Sequence, residues 1–181
     1  MQSFVTFGQD NGLYYFQERD DLVRCESCGT LLRKWEADLE VVSMRRRIRH
    51  DVSTSYDGVR VVSERFLEVY RHERMTGLEI RPVQGGLFSI VATREVAFDA
   101  IARGTRFANR CDCCGEYESV VGATPAFLVS PDEIEPLEFV RTDLEFGSND
   151  AKAPLLICGE AAAAALVAAK LRGLDIEAVG G

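Results

Sequence analysis

Four of the six cysteines in this chain fall into two copies of one pattern, Arg-Cys-x-x-Cys-Gly, at Cys25 and Cys28 and again at Cys111 and Cys114. Two residues between the thiols let a tight turn bring both sulfurs onto one ion. A second such turn completes a tetrahedral shell of four thiolates at about 2.3 Å. Gly29 and Gly115 follow the two pairs, where the chain must turn sharply with its amides facing the sulfurs. The pattern predicts one Zn2+ ion held by Cys25, Cys28, Cys111 and Cys114. Four protein ligands leave no position open for water, so the ion is read as structural rather than catalytic. A pair of disulfides is the poorer reading where no export signal is seen, and a thioredoxin-like redox pair would use one copy and leave the other idle.

The remaining reactive side chains point to no catalytic centre. Cys113 lies inside the second copy and could replace Cys111 or Cys114, but only the 111 and 114 pair repeats the spacing of the first copy. Cys158 ends the apolar run Leu155–Ile157 and is read as core packing, with a helix-terminal nucleophile as the sharper alternative. Neither thiol has a base in view. His50 and His72 form no ligand-spaced pair and read as surface residues. A GxSxG elbow, a phosphate-binding Walker loop and a GxGxxG turn are all missing, so no enzyme is expected.

The elements that must carry these knuckles belong to a folded chain of 181 residues, 46% hydrophobic and 28% charged, with five prolines. No run reaches the roughly 20 apolar residues of a membrane span, and the opening residues lack the layout of a signal peptide, so a cytoplasmic protein is expected. The net charge is −8, most of it after residue 83. Such a surface disfavours phosphate-backbone binding and suits a basic protein partner. The basic cluster MRRRIRH, residues 44–50, is the one feature that could contact phosphates, and it has no interleaved aromatics.

An internal similarity organises the rest. At an offset of 96 residues, SERFLEVYRHERMTGLEIRPV (63–83) lies on GEAAAAALVAAKLRGLDIEAV (159–179). Each copy reads as a short strand (Val59–Val62 or Leu155–Cys158), an N-cap (Ser63 or Gly159), a helix, a glycine stop (Gly77 or Gly173, as left-handed C′ residues) and an alternating strand. Phe66, Leu67 and Tyr70 share one face of the first helix, while the alanine-rich second helix suits close packing. Further strand-like stretches are Leu13–Phe16, Leu39–Val42, Phe88–Ala92 and Phe127–Val129, and Gly85–Gly86 reads as a turn. The fold class expected is α+β, with two pseudo-repeated halves, residues 1–83 and 84–181. Each half would be a small mixed β-sheet with a βαβ unit, and a four-cysteine, zinc-ribbon-like site would join the halves into one compact domain.

Two CxxCG knuckles roughly 85 residues apart, the helix exit TGLEIRPV and the C-terminal FVRTDLEFGSNDAKAPLLICGEAAAAALVAAKLRGLDIEAV together make the chain resemble the bacterial, myxobacterial-type double-CXXCG motif proteins. The likeness covers most of the chain and is best from Arg110 to Val179. The segment QDNGLYYFQERDD stands where the family is rich in Trp, Pro and Gly. Some members are immunity proteins that neutralise toxins in swarming-inhibition systems. The resemblance therefore implies a non-enzymatic protein that blocks a cognate toxin. A zinc-ribbon module that binds nucleic acid or accompanies transcription is the alternative.

Six carboxylates between Asp132 and Glu145, bounded by Pro131 and broken by Pro136, read as an exposed acidic loop. Asp132, Glu133, Glu135 and Glu138 are the side chains expected to dock a basic toxin surface, with a soluble and functionally silent loop as the alternative reading.

Overall fold

The computed structural model describes residues 2–17, 19–40 and 48–180. Its strands are β1 (Ser3–Asp10), β2 (Val52–Thr54), β3 (Arg60–Ser63), β4 (Leu78–Val83), β5 (Leu87–Ala92), β6 (Glu95–Val96), β7 (Arg106–Arg110), β8 (Tyr117–Val121), β9 (Phe139–Ser148), β10 (Ala153–Gly159) and β11 (Leu174–Ala178). Its helices are α1 (Glu64–His72), α2 (Ala100–Arg103) and α3 (Glu160–Ala168). The protein is thus α+β and mostly sheet. The strands form one hydrogen-bonded network in the order β4-β5-β3-β2-β1-β10-β9-β8-β7, with β11 also on β1 and β6 on β9.

The strands around α1 and α3 are parallel within each unit but are not neighbours. β5 lies between β3 and β4 and is antiparallel to both, and β1 lies in the same way between β10 and β11. The two units are therefore split βαβ units, in which the inserted strand is β5, the next along the chain after β4, in the first and the distant N-terminal β1 in the second. Nothing local to residues 153–179 signals that the N-terminal strand fills the gap. α3 begins 96 residues after α1, and β11 begins 96 residues after β4.

Alternation along β3 and β10 sends side chains to opposite faces of the sheet. Val62 and Cys158 enter one core with Phe66, Leu67, Ala162, Ala163 and Leu166, so both helices share a single apolar layer. On the other face, Val61 packs with Tyr15, Phe16 and Leu31, while Ile157 packs with Val5, Phe98 and Leu128. β10 is buried on both faces, which explains why PLLIC shows no alternation in sequence.

The helix stops differ from expectation. The left-handed residues after α1 and α3 are Arg74 and Lys170, at φ 57° and 51°. Gly77 and Gly173 instead stand at the entries to β4 and β11, at φ 91° and 80°. A Cβ on Gly77 would lie 2.1 Å from the Phe139 carbonyl oxygen, and one on Gly173 would lie 2.5 Å from that of Val52. These glycines are required by chain crossing as well as by backbone conformation. Ser63 does cap α1, accepting the Phe66 amide.

Of the further strand-like stretches, Phe88–Ala92 falls within β5, and Gly85–Gly86 turns the β4–β5 hairpin. Leu13–Phe16 is not a strand. Tyr15 and Phe16 are buried while Tyr14 is exposed, and the Asp57 carboxylate accepts the Tyr15 and Phe16 amides at 2.6 and 2.7 Å, doing the work of a strand partner. Leu39 and Glu40 lie outside any strand, and Val41 and Val42 lie outside the described residues. Phe127 and Leu128 make only isolated bridges, to Gly180 and Phe98. Among the described residues no helix is long and apolar enough to cross a membrane.

Candidate metal centre

Each cysteine pair occupies the tip of a hairpin. The first lies between Arg24 and Leu31, which form an isolated antiparallel bridge, and the second joins β7 to β8. The two turns use the same hydrogen bonds. The Gly29 amide donates to the Cys25 carbonyl at 2.8 Å and the Cys25 amide to the Thr30 carbonyl at 2.9 Å, and the Gly115–Cys111 and Cys111–Glu116 bonds are 2.9 and 2.8 Å. Gly29 and Gly115 adopt φ 76° and 79°. A Cβ on Gly29 would meet nothing within 4 Å, so backbone conformation alone demands glycine there.

The hairpins bring Cys25, Cys28, Cys111 and Cys114 together, with all four sulfurs within 4.8 Å of one another. Cys25 Sγ stands 3.9 Å from Cys111 Sγ, and Cys28 Sγ stands 3.6 Å from Cys114 Sγ. Ligands about 2.3 Å from a shared tetrahedral ion would be separated by about 3.8 Å. The donor set and its spacing therefore fit one metal ion.

Surrounding donors prepare the sulfurs for charge. The Cys28 and Ser27 amides hold the Cys25 thiol below its usual range, and the Cys114 and Cys113 amides do the same for Cys111. The Thr30 hydroxyl and amide lower Cys28. The Glu116 amide acts in the same sense on Cys114, yet burial and the other three sulfurs push that thiol up to about 12. Four negative sulfurs so close together repel one another, and a bound cation removes the conflict.

Cys113 is exposed and stands outside this set of four. Its thiol is raised, first by a hydrogen bond with Cys25. Cys158 is fully buried, and desolvation pushes its thiol up to about 12, as suits a core residue. His72 is exposed beside Glu73. Of the basic cluster, residues 44–47 lie outside the described residues.

The four acidic residues expected to dock a partner separate into two kinds. Asp132, Glu133 and Glu135 are exposed on a loop whose Pro136 carbonyl accepts the Ala162 amide and whose Ile134 is buried. This loop covers the start of α3. Gly159 is where it crosses, since a Cβ there would lie 2.1 Å from the Glu135 carbonyl oxygen. Glu138 instead forms a two-pronged ion pair with Arg94, at 2.7 Å for each contact. It holds the loop to the segment before β6, and Arg94 lowers its carboxyl. Sequence reasoning had no signal for this pairing, because 44 residues separate the partners.

No protein-family model matches the chain, and neither curated proteins nor solved structures provide a match.

Proposed function

We propose that the four sulfurs bind one structural zinc ion and that the protein is a non-enzymatic immunity protein, neutralising a cognate bacterial toxin in the cytoplasm. The observation that carries the reading is the closed set of four thiols, which fills a tetrahedral shell and leaves no place for substrate or activated water. A metal held in this way stabilises a surface rather than performing chemistry. Resemblance to double-CXXCG proteins supports the immunity role, and the net charge of −8 supports a basic partner. Asp132, Glu133 and Glu135 supply the exposed acidic face, while Glu138 braces it.

The equal offset of the two split βαβ units and the matched hydrogen bonds of the two knuckles support an origin by duplication of a knuckle and βαβ block. Residues 1–83 and 84–181 are its halves, exchanging strands within one sheet.

Protection of cells tests the function. Each reading frame adjacent to the gene for this chain is induced alone to find any that kills, and that frame is then induced with and without the chain. Survival that depends on the chain, and that falls when Glu133 and Glu135 are reversed to lysine, is the expected result. Equal killing in its presence defeats the immunity reading.

A further inference from the structure

Beside the metal centre lies a cleft of about 500 Å³, bounded by residues 30–35 on one side and by β7 and β8 on the other, with β9 beneath. Trp35, Phe107 and Tyr117 line it, and so do the carboxylates of Asp143 and Glu145. The Phe107 and Tyr117 rings are 4.9 Å apart, and Phe107 is 40% exposed, so part of its ring is accessible to a ligand.

The cleft already holds one cation. Lys34 Nζ stands 4.4 Å from the Trp35 ring centroid and donates to the carbonyls of Asp57, Asp150 and Lys152. Lys152 in turn is engaged by Glu116 and the Tyr117 carbonyl. Both ammonium groups thus hydrogen-bond to acceptors other than Asp143 and Glu145, although Glu145 also lies within the electrostatic reach of Lys34 and Arg60. Asp143 uses Oδ1 to accept the Phe98 amide at 2.9 Å, and Glu145 uses Oε1 to accept the Trp35 indole N–H. Each has a second oxygen for another donor. Arg33 is exposed at the rim.

We infer that this cleft receives an arginine side chain of the protein partner. A guanidinium stacks on Phe107 and Tyr117 and offers its forked N–H groups to Asp143 and Glu145, which an ammonium cannot match in shape. The inference rests on the reading of the chain as a protein-binding immunity factor, and it adds a second contact to the acidic loop. Both walls run directly out of the knuckles, at Thr30 and at Gly115, so a metal held by the four sulfurs would tie the two walls together.

The test uses the full, zinc-loaded chain and the capped tripeptide acetyl-Gly-Arg-Gly-amide, with its citrulline analogue as the uncharged control. Trp35 is the single tryptophan, so its fluorescence and indole N–H resonance report this cleft alone. A saturable response to the arginine peptide, about tenfold weaker with citrulline and with Phe107→Ala or Glu145→Gln, is expected. Glu145→Gln keeps an acceptor for the Trp35 indole but removes a counter-charge from Lys34 and Arg60, so its urea unfolding curve is measured alongside, and a loss of binding counts only where that curve is unchanged. Equal responses to both peptides, or none, overturn the inference. A silent cleft in a chain that still protects cells sinks this inference alone, whereas arginine binding without protection sinks the immunity reading alone.

Discussion

Cys28 Sγ and Cys114 Sγ lie 3.6 Å apart although 86 residues separate them in the chain. Each reaches that point from its own hairpin, and neither hairpin hydrogen-bonds to the other as a strand. Thiolate ligation is the interaction suited to holding such tips together, so metal affinity and folding should be coupled.

Native mass spectrometry on Cys113→Ser should find one metal per chain, as in the wild type, because Cys113 stands outside the set of four. Cys114→Ser should lose the metal and melt about 10 °C lower or more. Metal lost from Cys113→Ser and kept by Cys114→Ser would mean that Cys113 is the ligand in place of Cys114.

Labelling of the metal-loaded protein with iodoacetamide at pH 8 should modify the exposed Cys113 first and leave Cys158 untouched. Burial keeps the Cys158 thiol protonated, with its pKa pushed up to about 12. Fast alkylation of Cys158, read by peptide mapping, would reopen a nucleophilic role.

Asp51 joins the two units. Its carboxylate accepts the Ser63 hydroxyl at 3.0 Å and the Arg172 amide at 2.8 Å, with Arg172 Nε at 3.3 Å. Although burial opposes its charge, these bonds hold its pKa below the ordinary 3.8. A depressed carboxylate contributes stability that is fully present above the unfolded value and lost as pH falls through the folded one. Asp51→Asn should therefore cost about 2 kcal/mol in urea unfolding at pH 7. The gap from wild type should shrink below about pH 4.

Glu138→Gln should weaken the Arg94 pair, lowering stability by about 0.5–1 kcal/mol for a partly exposed bridge. Glu133→Gln and Glu135→Gln should leave unfolding curves unchanged within about 0.5 kcal/mol. A destabilisation from Glu135→Gln as large as that from Glu138→Gln would remove the distinction drawn between bracing and docking carboxylates.

Gly77→Ala forces a Cβ against the Phe139 carbonyl and should cost about 3 kcal/mol or more. At Gly86, φ is also positive but a Cβ meets nothing within 4 Å, so Gly86→Ala should cost only about 1–2 kcal/mol. Urea unfolding of the two variants separates steric conflict from backbone strain.

The sequence by itself determined the features that arise within a few residues. Two CxxCG turns need only their own amides and a left-handed glycine, so Cys25, Cys28, Cys111 and Cys114 were legible as a set. Ser63 was legible as a cap and the starts of α1 and α3 were legible, but their ends were not, since Arg74 and Lys170 rather than Gly77 and Gly173 are the left-handed residues that follow them. Tertiary structure alone decided what depends on segments far apart in the chain. β1 enters between β10 and β11, Arg94 claims Glu138, and Gly77, Gly159 and Gly173 admit crossing backbone. It also assembles the cleft from residues 30–35, β7, β8 and β9. The physical reason is the range of the forces involved. Turn and cap hydrogen bonds close over three to five residues and leave a local pattern, whereas strand order, close packing and ion pairing depend on which distant surfaces the whole chain buries together.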